Sequence, residues 1–365
     1  MRRQPDLLRA ILARPERAAT LRLADWDLVV RQARRSGLLA RLQVLLGEAG
    51  VIDSVPRQPR RHLDADRIVS DKYTRDVQAE VRYILAALRE IGIPIILLKG
   101  AAYVMAELPP SRGRKFGDID IMVPLDRLAE IEAALVRQGW SFGQVDPYDE
   151  RYYRVWMHQL PPMQHFERHT TIDVHHTIIA RTTRLRLDPN RLFESAVSVG
   201  GDPMLKVLAP ADMVLHSATH LLNQGEFDRG LRDLDDLRQL LQHFGGTPDF
   251  WTKLVERAAE LNLERPLFYA LRYTTKFLAA QVPEGVRMDR RLDPPNPLLR
   301  AIMDLLFDRA LSAAHPDNRD GASHVALFLL YLRSHHLLMP IHILIPHLAR
   351  KAWRRAWRDK EEQPE

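Results

Sequence analysis

The segment Gly117-Asp118-Ile119-Asp120-Ile121-Met122-Val123 leaves little freedom to the chain around it. Polar and apolar residues alternate after the glycine, so on a strand Asp118 and Asp120 share one face and Ile119 and Ile121 the other. Burying the isoleucine face fixes the register, because a slip of one residue would drive both carboxylates into the core. Upstream, Ile93-Pro94-Ile95-Ile96-Leu97-Leu98 is apolar and closed by Lys99-Gly100, the pattern of a buried strand ending in a turn. Downstream, Thr170-Thr171-Ile172-Asp173-Val174-His175 alternates again and places Asp173 and His175 on one face.

Carboxylates at i and i+2 on a strand lie roughly 6–7 Å apart, so their oxygens can converge on one divalent cation or bridge two. Magnesium takes hard oxygen ligands and keeps several waters, leaving room for a phosphate. Asp118 and Asp120, with Asp173 from a neighbouring strand, are therefore expected as the catalytic and metal-holding set for Mg²⁺ or Mn²⁺. An isolated Asp-x-Asp also occurs on solvated edge strands. The weight here comes from the whole set: strand, Lys99-Gly100, the basic loop Ser111-Arg112-Gly113-Arg114-Lys115, Asp-x-Asp, and a later strand centred on Asp173. Backbone N–H groups around Gly100, Ala101 and Ala102, at the start of a short helix expected to run from Ala101 to Leu108, suit an anion. Lys99, Arg114 and Lys115 add cations; for the last two a solvent-facing basic loop is the competing reading. His175 is placed to orient Asp173 or to touch an acceptor.

These residues resemble the nucleotidyltransferase superfamily to which DNA polymerase β belongs. More narrowly they resemble uncharacterised bacterial nucleotidyltransferase-family proteins carrying Leu-Lys-Gly, then Arg-x-x-Gly-Asp-x-Asp, then Asp-x-His. Here those are Leu98-Lys99-Gly100, Arg114 to Asp120, and Asp173-Val174-His175. The segments Asp25 to Leu39, His216 to His220 and Arg232 to Leu237 are similar to the helical flanks of that family. Two positions depart: the usual Gly-Ser is Gly100-Ala101, and His176 stands where relatives often carry an aromatic residue. The resemblance implies transfer of a nucleotidyl group from a nucleoside triphosphate (ATP or another NTP) to an acceptor hydroxyl, with release of pyrophosphate. Lys99, Gly100, Arg114, Lys115 and His175 would serve the nucleotide. The acceptor is left open among RNA, protein, a sugar and a peptide natural product. Two rivals stand beside this: a non-catalytic nucleotide-binding module on the same fold, and an RNA- or tRNA-binding or modifying protein.

The expected architecture is α+β, a small mixed or antiparallel nucleotidyltransferase sheet between helical regions. The expected divisions are residues 1–62 (N-terminal helices), 63–205 (nucleotidyltransferase core) and 206–365 (C-terminal helices). A long helix is expected from about Asp64 to Ile91, closed by Gly92, with the basic Pro56 to Arg61 stretch as a turn before it. Asp126 is a helix N-cap candidate, and strands are expected near Tyr152–His158 and Gln164–His169. The chain of 365 residues contains no cysteine, which excludes disulfides, thiolate zinc sites and cysteine nucleophiles and fits a cytoplasmic setting. Its net charge of +6 reflects abundant arginine or an anionic partner. Five histidines between 158 and 176 show no zinc-ligand spacing. His216 and His220, i and i+4 on a helix, could bind a metal; the preferred reading is two partly buried histidines bonded to Asp233 or Asp236. The opening residues carry no signal-like apolar run, and no uninterrupted apolar span reaches membrane length. Arg350 to Arg358, basic with two tryptophans, reads as a terminal helix docked on its own fold or as a peripheral contact with an anionic membrane.

Overall fold

The computed structural model describes residues 5–143, 146–346 and 350. The alternating segment lies at the centre of a mixed seven-stranded sheet. Its strands are β1 (Ile95–Leu97), β2 (Asp118–Met122), β3 (Trp140–Phe142), β4 (Met163–His165), β5 (Thr171–His175), β6 (Val197–Val199) and β7 (Asp202–Val207), in the order β3-β4-β5-β2-β1-β7-β6. β2 runs antiparallel to β1 and parallel to β5, and β1 runs parallel to β7. The parallel pairing sets Asp118 opposite Thr171, Asp120 opposite Asp173 and Met122 opposite His175. Ile119, Ile121, Ile172 and Val174 fill the other face and are buried, so their burial sets the register that brings the aspartates abreast.

The principal helices are α1 (Leu7–Ala13), α2 (Leu23–Ser36), α3 (Leu39–Glu48), α4 (Arg57–Leu88), α5 (Lys99–Met105), α6 (Leu128–Arg137), α7 (Pro210–Asn223), α8 (Gly230–Gly245), α9 (Phe250–Glu260), α10 (Glu264–Leu278), α11 (Pro297–Ala310) and α12 (Gly321–Leu338). One hydrophobic cluster runs from Leu8 through the sheet to Leu330, so helices before and after the sheet share its core. The α+β architecture with a small mixed sheet and flanking helices is the one expected. No helix among the described residues is long and apolar enough to cross a membrane.

Several elements differ from expectation. The basic Pro56–Arg61 stretch is the first turn of α4 rather than a turn before it; a proline there forfeits no intrahelical bond, since the first N–H groups have no partner anyway. The helix after β1 begins at Lys99, two residues early. Asp126 makes no cap bond; it lies in a short 3₁₀ turn before α6. Tyr152–His158 is no strand: Asp146 caps a helix at Pro147–Arg151, accepting from the N–H groups of Tyr148 and Asp149, and Tyr152–Trp156 continues it as a π turn. The hairpin β6–β7 has no counterpart in the sequence reading, although Gly200-Gly201, both at positive φ, form its turn.

Candidate active site

The site starts from the turn after β1. Lys99 is held at φ +45, a left-handed conformation that is costly for a residue with a side chain. From there its Nζ donates to Asp120 Oδ1 at 2.9 Å. Gly100 follows because the Phe116 ring approaches so closely that a Cβ would lie 2.6 Å from it. The loop preceding β2 therefore packs directly onto the turn after β1.

Asp120 is buried and accepts from both Lys99 Nζ and His175 Nε2, the latter also at 2.9 Å. Burial alone would raise its carboxyl, but the Lys99 charge and the His175 hydrogen bond outweigh it and hold the group well below the usual carboxylate range. Asp173, its neighbour in register, is the opposite case. Its Oδ1 is buried without a hydrogen-bond partner, and burial, reinforced by the Asp120 charge, pushes its carboxyl up to about 6. His175 bonds Asp120 rather than Asp173 and stacks on His158 at 5.1 Å. One donor atom from each of Asp120, Asp173 and His175 lies within 4.8 Å of the others, a grouping able to hold a metal ion. The unpartnered Asp173 oxygen fits that role, since a buried acceptor left unmade is costly. Asp118 is exposed at the start of β2, outside this tight group. It shares the face and the cleft with Asp120, and its charge is felt at Lys99 and Asp173.

A cleft opens over Asp118 and Asp120 between the sheet and the helices that follow it. Lys99, Gly100, Asp118 and Asp120 line one wall, and Ser217, His220, Glu226, Arg229, Arg232 and Asp233 the other. Arg229 is exposed there and Arg232 pairs with Asp233 at 2.6 Å. The two loop cations expected at the nucleotide also border the cleft but hold partners of their own. Arg114 forms an ion pair with Asp236 of α8 and lies over the Tyr103 and Phe116 rings. Lys115 Nζ donates to Asp66 Oδ1 of α4 at 2.7 Å. Arg41 completes the far end: buried, it donates to the carbonyls of Pro109 and Pro110 and faces Asp235 and Asp236 at 3.5 and 3.7 Å.

Burial, with Lys99 nearby, lowers His216 to about 3 and takes His220 well below its ordinary value, so both stay neutral. Neither bonds Asp233 or Asp236, the partners expected for them, which pair with arginines. Arg229, Ser217 and Tyr103 had no distinguishing signal in the sequence. Ser217 and Arg229 reach the cleft because α7 and the start of α8 cross it, and Tyr103 reaches it from α5, with Tyr103 Oη and Ser217 Oγ 2.8 Å apart. Of the other histidines, His165 bonds the Gln138 carbonyl and Arg168, and His169 is exposed. Arg350 lies over the Tyr148 ring at 4.2 Å, while the rest of the basic tryptophan-bearing tail lies outside the described residues.

A family model described as an uncharacterised nucleotidyltransferase matches residues 22–279. That span runs from α2 through α10 and includes every residue lining the cleft. No curated protein and no solved structure matches the chain.

Proposed function

The chain belongs to the uncharacterised nucleotidyltransferase family, and from that premise we propose that it transfers a nucleotidyl group from a nucleoside triphosphate to an acceptor hydroxyl, releasing pyrophosphate. The observation that carries this reading is the parallel register that sets Asp120, which lines the open cleft, opposite Asp173, whose carboxylate keeps one oxygen unpartnered. Asp120, Asp173 and the cleft-facing Asp118 would hold the divalent cation, Mg²⁺ or Mn²⁺ by the carboxylate donors. Bound there, the cation supplies positive charge to the triphosphate and lowers the pKa of an acceptor hydroxyl.

The chain's own groups do the rest. The Lys99 ammonium, tethered to Asp120 at 2.9 Å and lining the cleft, would turn to phosphate oxygens of a bound triphosphate. Gly100, which lets the Phe116 ring pack against the turn, also lines the cleft there. Arg229 and Arg232 offer guanidinium groups from the opposite wall. His175 holds Asp120 in one orientation, and Asp173, whose oxygen lacks a hydrogen-bond partner, completes the donor set for the cation. Ala101 supplies no hydroxyl to the phosphates; Ser217 brings one from the opposite wall of the cleft, bonded to the Tyr103 hydroxyl of α5.

The pairing of Lys99 with Asp120 also favours a second reading, a nucleotide-binding module in which the ammonium stands in for a cation and no transfer occurs. Incubation with Mg²⁺ or Mn²⁺ and each labelled NTP, with RNA, protein and sugar acceptors offered in turn, separates the two. The transferase releases pyrophosphate and labels an acceptor, and Asp120→Asn abolishes both. Tight NTP binding without pyrophosphate under every condition establishes the module instead. RNA binding that weakens steeply with salt, without labelling, points to the RNA-binding alternative.

A further inference from the structure

Two helices after the family match present apolar faces that nothing in the described chain covers. On α12 the exposed positions Val325, Phe328, Leu329 and Leu332 fall at i, i+3, i+4 and i+7, one helical stripe, and Phe328 is 58 % exposed. Its opposite face, with Ala326, Leu330 and Ser334, is buried, so α12 is apolar on both sides. α11 packs against it and exposes Leu298 (73 %), Ile302 and Leu305, again at i, i+4 and i+7. Ile341 and Ile345 continue the exposure just past α12. The acids of α11 point elsewhere: Asp304 binds Arg272 and Lys276, and Asp308 binds Arg9. An exposed apolar surface of this extent marks an interaction site.

We propose that this face docks the protein on an anionic bilayer surface. The sequence beyond it sets the partner's charge. Arg350-Lys351-Ala352-Trp353-Arg354-Arg355-Ala356-Trp357-Arg358 carries five cations, no acid, and tryptophans four apart. Clustered cations draw in anionic headgroups, tryptophan favours the interfacial zone, and aliphatic stripes enter the acyl boundary. A second copy of the chain fits less well, since an apolar self-contact would offer no counter-charge to the five cations of the sequence that follows. With no described helix able to span, the protein lies on the membrane. The proposal is independent of nucleotidyl transfer, as its test reads no activity.

The test is co-sedimentation of the full chain with vesicles of phosphatidylcholine containing about 30 % phosphatidylglycerol, against pure phosphatidylcholine. The wild type binds the anionic vesicles, about tenfold more weakly to neutral ones, and less as salt rises. The double variant Phe328→Ser/Leu332→Ser loses about tenfold or more while keeping its melting temperature, because both side chains face solvent. Leu298→Ser/Leu305→Ser on the neighbouring helix gives the same readout should the first variant misfold. The proposal is overturned by absence of binding to both vesicles, or by undiminished binding in the stripe variants. It is equally overturned by light scattering that shows a dimer which the stripe variants convert to monomer.

Discussion

The cleft has two walls built on opposite principles. On the sheet wall, polar groups are brought together and left partly unmade: Asp173 keeps a buried oxygen without a partner, and Lys99 and His175 both converge on Asp120. Toward the helices, charge is largely locked pairwise, Arg114 and Arg41 to Asp236 and Asp235, and Lys115 to Asp66. Arg41 on α3, the loop carbonyls at Pro109 and Pro110, and α8 are tied through one guanidinium. Burial pushes Arg41 and Arg114 down to about 10, yet both stay charged at neutral pH. The lesson is that cations near a site divide into those that hold the cleft in shape and those free to meet a ligand. Proximity in sequence does not separate them.

If that division holds, substitutions on the two walls fail in different ways. The largest effect is on the sheet side: Asp120→Asn or Asp173→Asn lowers pyrophosphate release by about a thousandfold. Residual activity near wild type in either variant would dissolve the sheet wall's special status. Next, Arg114→Ala leaves the buried Asp236 with only Arg41, 3.7 Å away, and costs about 3 kcal/mol, read as a lower midpoint in urea unfolding. An unchanged midpoint with a raised KM for NTP would move Arg114 from the structural to the ligand-facing class. Arg229→Ala behaves in reverse, raising the KM for NTP about tenfold with stability within about 0.5 kcal/mol of wild type.

The smallest effect concerns the contrast between the two aspartates. Asp173 titrates near 6, above its unfolded value, so the folded chain binds that proton more tightly than the unfolded one. Its ionised form therefore destabilises the fold at neutral pH, and stability rises as pH falls from above 6 toward 4. Asp173→Asn should raise stability at pH 7 by roughly 1 to 2 kcal/mol, after allowing for water at the cleft, and flatten that part of the pH profile. Melting curves of wild type and variant at pH 5 and pH 7 check the sign.

Much of the sheet wall was legible in sequence because strands announce themselves at period two. Asp118, Asp120, Asp173 and His175 could be placed on faces by alternation alone, and Lys99-Gly100 by the apolar run they close. The helical regions were legible from three- and four-residue spacing, most ends to within a few residues, although α4 begins seven residues before the expected Asp64 because its basic first turn carries no apolar spacing. Tyr152–His158 misled because an aromatic-rich run resembles a strand unless the Asp146-Pro147 start signal is weighed against it. The partners of His216 and His220 were misassigned because helical spacing shows which residues share a face but not what lies opposite.

By itself the sequence determined the strand register, and with it that two carboxylates would share a face beside a glycine turn: these follow from side-chain alternation and the cost of burying charge, both local to a few residues. Tertiary structure alone decided that Asp120 would be neutralised by Lys99 and His175 while Asp173 stood unpartnered. It alone decided that Arg114 would latch onto a helix more than a hundred residues away, and that Arg229 would face the cleft. Those outcomes depend on which distant segments meet across the core, and pairing energies between them have no counterpart in the spacing of residues along the chain.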